Sequence, residues 1–179
     1  APSHGVGDLA NGILSRHPIL KTNWNWIQSP QQGGKTYDDQ YRLYVEAVIE
    51  VAGKQMTIGT AHVSYTHKFE DTDKRKHEVD SLLSIVRSKE SGFVFTGDLN
   101  STPDSYLITE LNKHLVHCGP EVSEQTWTTK PFDYNGFKET ELKWRLDYAF
   151  ATEDVEVKSA EVVKTDYSDH LPLLVKVAV

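Results

Sequence analysis

A chain of 179 residues with 38% hydrophobic and 25% charged residues is one domain's length and can bury a real core. Its net charge of −7 argues against nucleic-acid binding through a broad basic face, although carboxylates gathered round a metal would bias the total the same way. The single cysteine, Cys118, excludes an intrachain disulfide, and no apolar run approaches the ~20 residues of a membrane span.

The first ten residues are Gly-rich and polar and read as a loop. Gly12-Ile13-Leu14-Ser15-Arg16 reads as a short strand stopped by His17-Pro18. From Asn23 to Tyr41 a polar segment holding Trp24, Trp26, Pro30, Gly33 and Gly34 lacks periodicity, which predicts a long surface loop. Its two tryptophans would stack on a substrate, dip into a membrane surface or cap the core. Arg42 to Val51 then alternates, Ala52-Gly53-Lys54 turns the chain, and Gln55 to Val63 returns, a β-hairpin ending in Thr60-Ala61-His62. Lys74 to Lys89 carries Val79, Leu82, Leu83 and Val86 at helical spacing, with Lys74, Arg75, Lys76 and Glu78 on what reads as a solvated face.

The stretch Phe93-Val94-Phe95-Thr96-Gly97-Asp98-Leu99-Asn100 follows. It reads as a buried strand broken by Gly97, with Asp98 and Asn100 two apart and therefore pointing the same way. An ordinary Asx turn would look the same. A carboxylate beside a neutral amide also suits a phosphoryl centre: one orients or deprotonates water, the other donates to a phosphate oxygen.

Ser101-Thr102-Pro103-Asp104 opens a second helix, with Thr102 as its cap and Leu107, Ile108 and Leu111 as its buried stripe. His114 with His117-Cys118 is a weak zinc pattern, lacking a second ligand pair. Val116 to Glu141 is irregular and contains Thr126-Trp127. Lys143 to Phe150 is a strand carrying Asp147 among apolar neighbours, where a charge is either paired or functional. Val155 to Thr165 alternates again, and Ser168-Asp169-His170 precedes a closing strand from Leu171 to Val179. With no repeat and no linker, residues 1–179 form a single domain.

Strand ends carrying His62, Asp98, Asn100, Asp147, Asp169 and His170 make joint sense if they share one rim. Carboxylates with an amide oxygen suit Mg²⁺ or Mn²⁺, and two histidines suit charge on a pentacoordinate phosphorus.

Gly-Asp-Leu-Asn, then Arg-Leu-Asp-Tyr, then Ser-Asp-His-Leu-Pro, with Gly12–Arg16 and Thr60–His62 ahead of them, resembles the endonuclease/exonuclease/phosphatase superfamily over essentially the whole chain. The resemblance implies a four-layered α/β/β/α sandwich: two mixed sheets face to face with helices outside. It implies a divalent-metal-dependent phosphoester hydrolase, nuclease-like in acting on phosphodiesters, with Mg²⁺ or Mn²⁺ as cofactor. Asp98 would activate water, Asn100 bind a phosphate oxygen, His62 and His170 stabilise the phosphorane, Asp147 hold a histidine or the water, and Asp169 ligate the metal. Asn11, Arg42, Trp127 and Trp144 would contact the substrate, a nucleic acid or a phospholipid head group. The signals for the branch conflict. His62 points towards the deoxyribonuclease, sphingomyelinase and phosphatase branches and the Gly-Asp-Leu-Asn-Ser-Thr-Pro-Asp-Ser run resembles deadenylases and sphingomyelinases, whereas Trp144 before Arg145 is similar to abasic-site endonucleases. Hydrolysis of a phospholipid or inositol phosphate, and a non-catalytic binding module on the same fold, are the alternatives. Such domains begin with a strand carrying an asparagine and a strand carrying a metal-binding glutamate. This sequence resembles roughly the last two-thirds of one, so a weak metal site is expected, together with either self-association through an uncovered sheet edge or early strands rearranged to shield the gap.

Overall fold

The computed structural model describes residues 10–29 and 41–178. Strands β1 (Ile19–Gln28), β2 (Arg42–Val51) and β3 (Lys54–His62) run antiparallel in sequence. The β2–β3 turn is Ala52-Gly53, at φ +52° and +80°, the doubly left-handed backbone that a two-residue hairpin needs. Helix α1 (Asp73–Val86) carries the chain over to β4 (Phe93–Asp98), which lies parallel to β3. Helix α2 (Tyr106–Leu111), the short strand β5 (Val116–His117) and the hairpin β6 (Phe132–Tyr134) to β7 (Phe137–Glu139) come next. Strand β8 (Asp147–Ala151) pairs antiparallel with β4, and β9 (Glu156–Val162) and β10 (Leu173–Ala178) form a two-stranded ribbon.

The main sheet is mixed and six-stranded, in the order β1-β2-β3-β4-β8-β5. Alternation along β4 partitions the core. Phe93 and Phe95 face α1 and α2, packing with Leu82, Leu83, Leu107 and Leu111, while Val94 faces the ribbon with Val175 and Val177. Each fully buried side chain of this size contributes roughly 1.5–3 kcal/mol. The result is the α/β sandwich that the sequence implies, helices outside one face of a mixed sheet and a second sheet against the other. Among the described residues that second sheet has two strands and no helix lies outside it. No helix among them is long and apolar enough to cross a membrane.

Four expectations are corrected. Residues 12–16 form no strand with any described residue, and the first described strand starts at Ile19. Trp24 and Trp26 lie inside that strand rather than in a loop, edge to face at 5.4 Å; residues 30–40 of the expected loop fall outside the described set. β1 is an edge strand exposed on both faces over most of its length, so no alternation marks it, and pairing with β2 sets its conformation. The cap of α2 is Ser105, whose hydroxyl accepts from Ile108 N–H, whereas the Thr102 hydroxyl donates to Asp104. Lastly, Arg75 and Glu78 are not solvated: each is 2% exposed.

Candidate active site

Parallel pairing brings the ends of β3 and β4 to one rim, with His62 opposite Asp98, and antiparallel pairing sets Asp147 of β8 opposite Asp98 on the other side. Three adjacent strands thus deliver an imidazole and two carboxylates side by side. Gly97 permits the close approach, since a Cβ there would lie 2.1 Å from the Ala61 carbonyl oxygen. The strand runs through Gly97 instead of breaking at it. His170 arrives from the loop before β10, fastened by Leu171 N–H donating to Thr126 O at 2.8 Å. The buried Thr126 hydroxyl oxygen also accepts from the Leu146 and Asp147 N–H groups, at 3.1 and 3.2 Å, so one residue aligns both contributors.

Asp98 Oδ2 is the convergence point, 3.4 Å from His62 Nε2 and 3.7 Å from His170 Nε2. His170 Nδ1 is 2.8 Å from Asp147 Oδ2, the geometry that the holding role requires. Burial alone would lower the His170 pKa, but its hydrogen bond to Asp147 and the charges of Asp147, Asp98 and Asp169 outweigh burial and hold it at about 9. His62 goes the other way. Burial, then the Arg42 guanidinium and His170, push it down to about 4. Burial and the neighbouring Asp147 charge raise the Asp98 carboxyl well above the usual carboxylate range. One charged and one neutral imidazole therefore flank a carboxylate whose proton is poised.

Asn100 has φ +44°, and its backbone N–H donates to Asp98 Oδ1 at 3.0 Å. Its amide nitrogen donates to Val63 O at 2.9 Å and lies 3.2 Å from His62 Nε2. A carbonyl only accepts, so the amide NH₂ must face this way, and Nε2 of the neutral His62 is an acceptor. The left-handed backbone is held from behind. Arg75 of α1 donates through Nη2 to Leu99 O, Asn100 O and Ser101 Oγ, and through Nη1 to Thr66 Oγ1. One turn on, Glu78 Oε1 accepts from Ser64 N–H at 2.9 Å, two residues past His62. A single helix face thus ties down both strand-end loops.

A cleft of about 470 Å³ opens on these groups, lined by the polar His62, Asp98, Asn100, Asp169 and His170 and by the aromatic Tyr65, Phe69, Trp127, Phe132 and Tyr134. Trp127 is buried, its indole N–H donating to Asp169 Oδ2 at 3.4 Å. Arg42 is 3% exposed, its Nε donating to Ser64 Oγ, and with Asn11 it borders a small recess behind His62. Asn11 donates its amide to Leu43 O at 2.8 Å. Trp144 is not brought to the cleft. It packs behind Phe69 at 4.8 Å and donates to Glu139 Oε2 at 2.7 Å. Sequence reasoning missed Arg75, Glu78, Tyr65, Phe132 and Tyr134; Asn135-Gly136 between apolar residues was the signal for the hairpin that carries two of them.

Among the described residues, Asp98, Asp147 and His170 form the group whose donor atoms converge, within 4.8 Å of one another. Asp169 is not part of it, and His114, His117 and Cys118 do not assemble. Two carboxylates suit a hard cation that keeps several waters, and a cation there would relieve the repulsion that raises the Asp98 pKa, so the donor set fits a divalent ion.

The model of the endonuclease/exonuclease/phosphatase family matches residues 2–170. An endonuclease/exonuclease/phosphatase from Bacteroides vulgatus superposes with TM-score 0.65 at 19% identity, over 90% of this chain and 66% of its own. A mannosyl-6-phosphatase from Bacteroides thetaiotaomicron gives 0.64 at 17%, over 90% and 67%. D. rerio TDP2, complexed with a single-strand DNA product, gives 0.61 at 15%, over 90% and 68%. The chain thus spans about two-thirds of the length of these structures, and the likeness is one of fold. No curated protein matches it significantly.

Proposed function

The chain belongs to the endonuclease/exonuclease/phosphatase family, and from that premise we propose that it is a divalent-metal-dependent phosphodiesterase working by in-line attack of water. The observation that carries this reading is the convergence of His62 and His170 on Asp98 Oδ2, at 3.4 and 3.7 Å, with Asp147 behind His170. Asp98, on whose Oδ2 both imidazoles converge, takes the proton of the attacking water. The His170 imidazolium, oriented by Asp147, donates to the phosphorane oxygens and then protonates the leaving oxygen. Asn100 fixes His62 as an acceptor and orders the phosphate-facing rim. The Asp98 and Asp147 carboxylates of the converging group would hold Mg²⁺ or Mn²⁺, which when bound would supply charge neutralisation to the phosphoryl group.

Hydrolysis of bis(p-nitrophenyl) phosphate tests this. Turnover should require Mg²⁺ or Mn²⁺, vanish with EDTA, and fall roughly 10²–10⁴-fold in Asp98→Asn and in His170→Ala. Near wild-type kcat in either variant would discard the assigned roles. Capture of phosphoesters with no turnover of any would favour a binding module on this fold.

A further inference from the structure

Strand β8 begins at Asp147, and its outer edge is only partly covered. Strand β5 pairs with Phe150 and Ala151, and the Cys118 and Gly119 N–H groups donate to Ala149 O at 2.9 and 3.2 Å. Nearer the rim, at Asp147, no strand runs alongside β8 on this side among the described residues. The ladder to β4 does not use the Asp147 backbone either. Leu99 N–H donates to Leu146 O at 2.9 Å, and in an antiparallel pair the next residue turns its N–H and C=O outwards. Two side chains do there what a neighbouring strand would do. Thr126 Oγ1 accepts from Asp147 N–H at 3.2 Å, and Arg145 Nε donates to Asp147 O at 2.7 Å.

Arg145 is 3% exposed, and all four of its acceptors are main-chain oxygens. Besides Asp147 O they are Glu121 O and Glu124 O on Nη1, at 3.1 and 2.8 Å, and Pro120 O on Nη2, at 3.0 Å. The Tyr148 ring lies 5.4 Å from Cζ, and the Tyr148 hydroxyl donates to Ser101 O at 2.8 Å, beside the Asn100 loop. A guanidinium bonded to carbonyls gains less than one bonded to a carboxylate, yet loses its water all the same. It is a poor way to fill space. What it offers is a planar fork, with Nε aimed at Asp147 while both Nη groups hold the loop at Pro120–Glu124.

The Asp147 side chain leaves the backbone between the two peptide groups so held. Its Oδ2 stands 2.8 Å from His170 Nδ1, and a carboxylate only accepts, so Nδ1 carries the proton of that bond. We infer that Arg145 is a positioning residue: its Nε–H fixes the main chain at Asp147 and so aims the carboxylate that orients His170. The consequence for turnover rests on the hydrolase reading of this site, whereas the consequence for the His170–Asp147 bond does not.

Three substitutions separate the two tasks of the guanidinium. In Arg145→Gln the amide nitrogen is bonded to Cδ, as Nε is, so it keeps a donor for Asp147 O while the loop loses its own. In Arg145→Met a methyl group stands at that place, and both sets of bonds go. In Arg145→Lys the ammonium lies one bond further out, keeping the charge and a loop carbonyl but no donor at the Nε position. With bis(p-nitrophenyl) phosphate and Mg²⁺, kcat should fall roughly 10²-fold in the Met and Lys variants and stay within about threefold of wild type in the Gln variant, with KM unchanged throughout. Stability should rank differently, the Lys variant having the highest Tm of the three. The His170 ring N–H resonance of isotope-labelled protein, assigned by its loss in His170→Ala, reads the same bond without turnover. It should keep its wild-type position in Arg145→Gln and shift or exchange away in the other two. Equal losses in the Gln and Lys variants, or losses that follow Tm, overturn the inference; should the Met variant not fold, the Gln–Lys comparison decides alone. An inactive wild type whose resonance follows the expected order removes the hydrolase reading and keeps the role of Arg145. An active wild type with equally active Gln and Lys variants does the reverse.

Discussion

Replacing Arg75 by methionine should destabilise the protein by about 3 kcal/mol although the residue touches no solvent and no candidate ligand. The methionine keeps much of the stem's packing but removes four donated hydrogen bonds, three of them to the loop at Leu99–Ser101. Hydrogen bonds from a charged donor are worth ~1.5–3 kcal/mol each, but they do not add here. Leu99 O keeps a second partner in Ser101 Oγ, so Asn100 O is the acceptor left bare. Burial of the guanidinium, which lowers its pKa, is a cost that the substitution recovers. Against that, buried Glu78 loses the nearby positive charge, and its own pKa, already raised by burial, should rise further. The balance falls at the lower end of the ~3–5 kcal/mol for breaking a buried ionic group, or a fall in Tm of about 10 °C for a domain of this size. Urea unfolding at pH 7 measures it, with Arg75→Lys expected to retain part of the stability through a single point donor. A loss below ~1 kcal/mol for methionine would refute the view that Arg75 holds the Asn100 loop.

Ring-proton titration of the metal-free chain should place His170 near pH 9 and His62 near pH 4, and Asp147→Asn should bring His170 back towards the ordinary imidazole value. Because the folded pKa of His170 is raised, its stabilisation is complete below pH 6.5 and is lost as pH rises through about 9, which unfolding midpoints across that window will show. Glu139 runs in the opposite sense. Burial would raise its pKa, but Lys143, the Trp144 indole and two backbone N–H groups hold it at about 2, so its contribution is present above pH 4.5 and disappears as pH falls through 2. Glu139→Gln should therefore destabilise on the order of 2 kcal/mol at pH 6 and little at pH 2, measured by urea midpoints; a pH-independent difference would contradict it.

The alternating strands β2, β3 and β4 were legible because each has a buried face, and the polar residues at their ends stood out against that pattern. β1 was not, since an edge strand exposed on both faces carries no period. Arg75 and Glu78 were misread for a different reason. Arg75 lies four and seven residues before Val79 and Leu82, and Glu78 four and eight before Leu82 and Val86, so both fall on the buried stripe of α1, but charged side chains are so seldom buried that residue type overrode spacing. The stripe was the better guide. His62, Asp98, Asn100, Asp147 and His170 could be assigned to one rim from strand-end logic alone, whereas the aromatic wall could not, because it is made by a three-residue hairpin strand and a loop brought together only by tertiary packing. Trp144 shows the converse: a conspicuous residue in a resembling motif stands behind the wall rather than in it.

Most of the site's geometry is guarded twice over, Asn100 by Arg75 and by Val63, His170 by Asp147 and by Thr126. The separation of His62 from Asp98 is set by the Val63 N–H bond to Asp98 O, at 3.0 Å, and that bond can close only because of the empty place at Gly97. The obstacle there is the Ala61 carbonyl, part of the backbone, so no repacking of neighbouring side chains could make room for even a methyl group. Four rungs, from Thr57 opposite Phe93 to Thr60 opposite Thr96, would stay clamped while the last two were prised open, like the jaws of a caliper turning on its hinge. The reach between imidazole and carboxylate is thus gauged by an absence, and an absence has no understudy: a substitution at residue 97 is one that no second change elsewhere in the chain could repair.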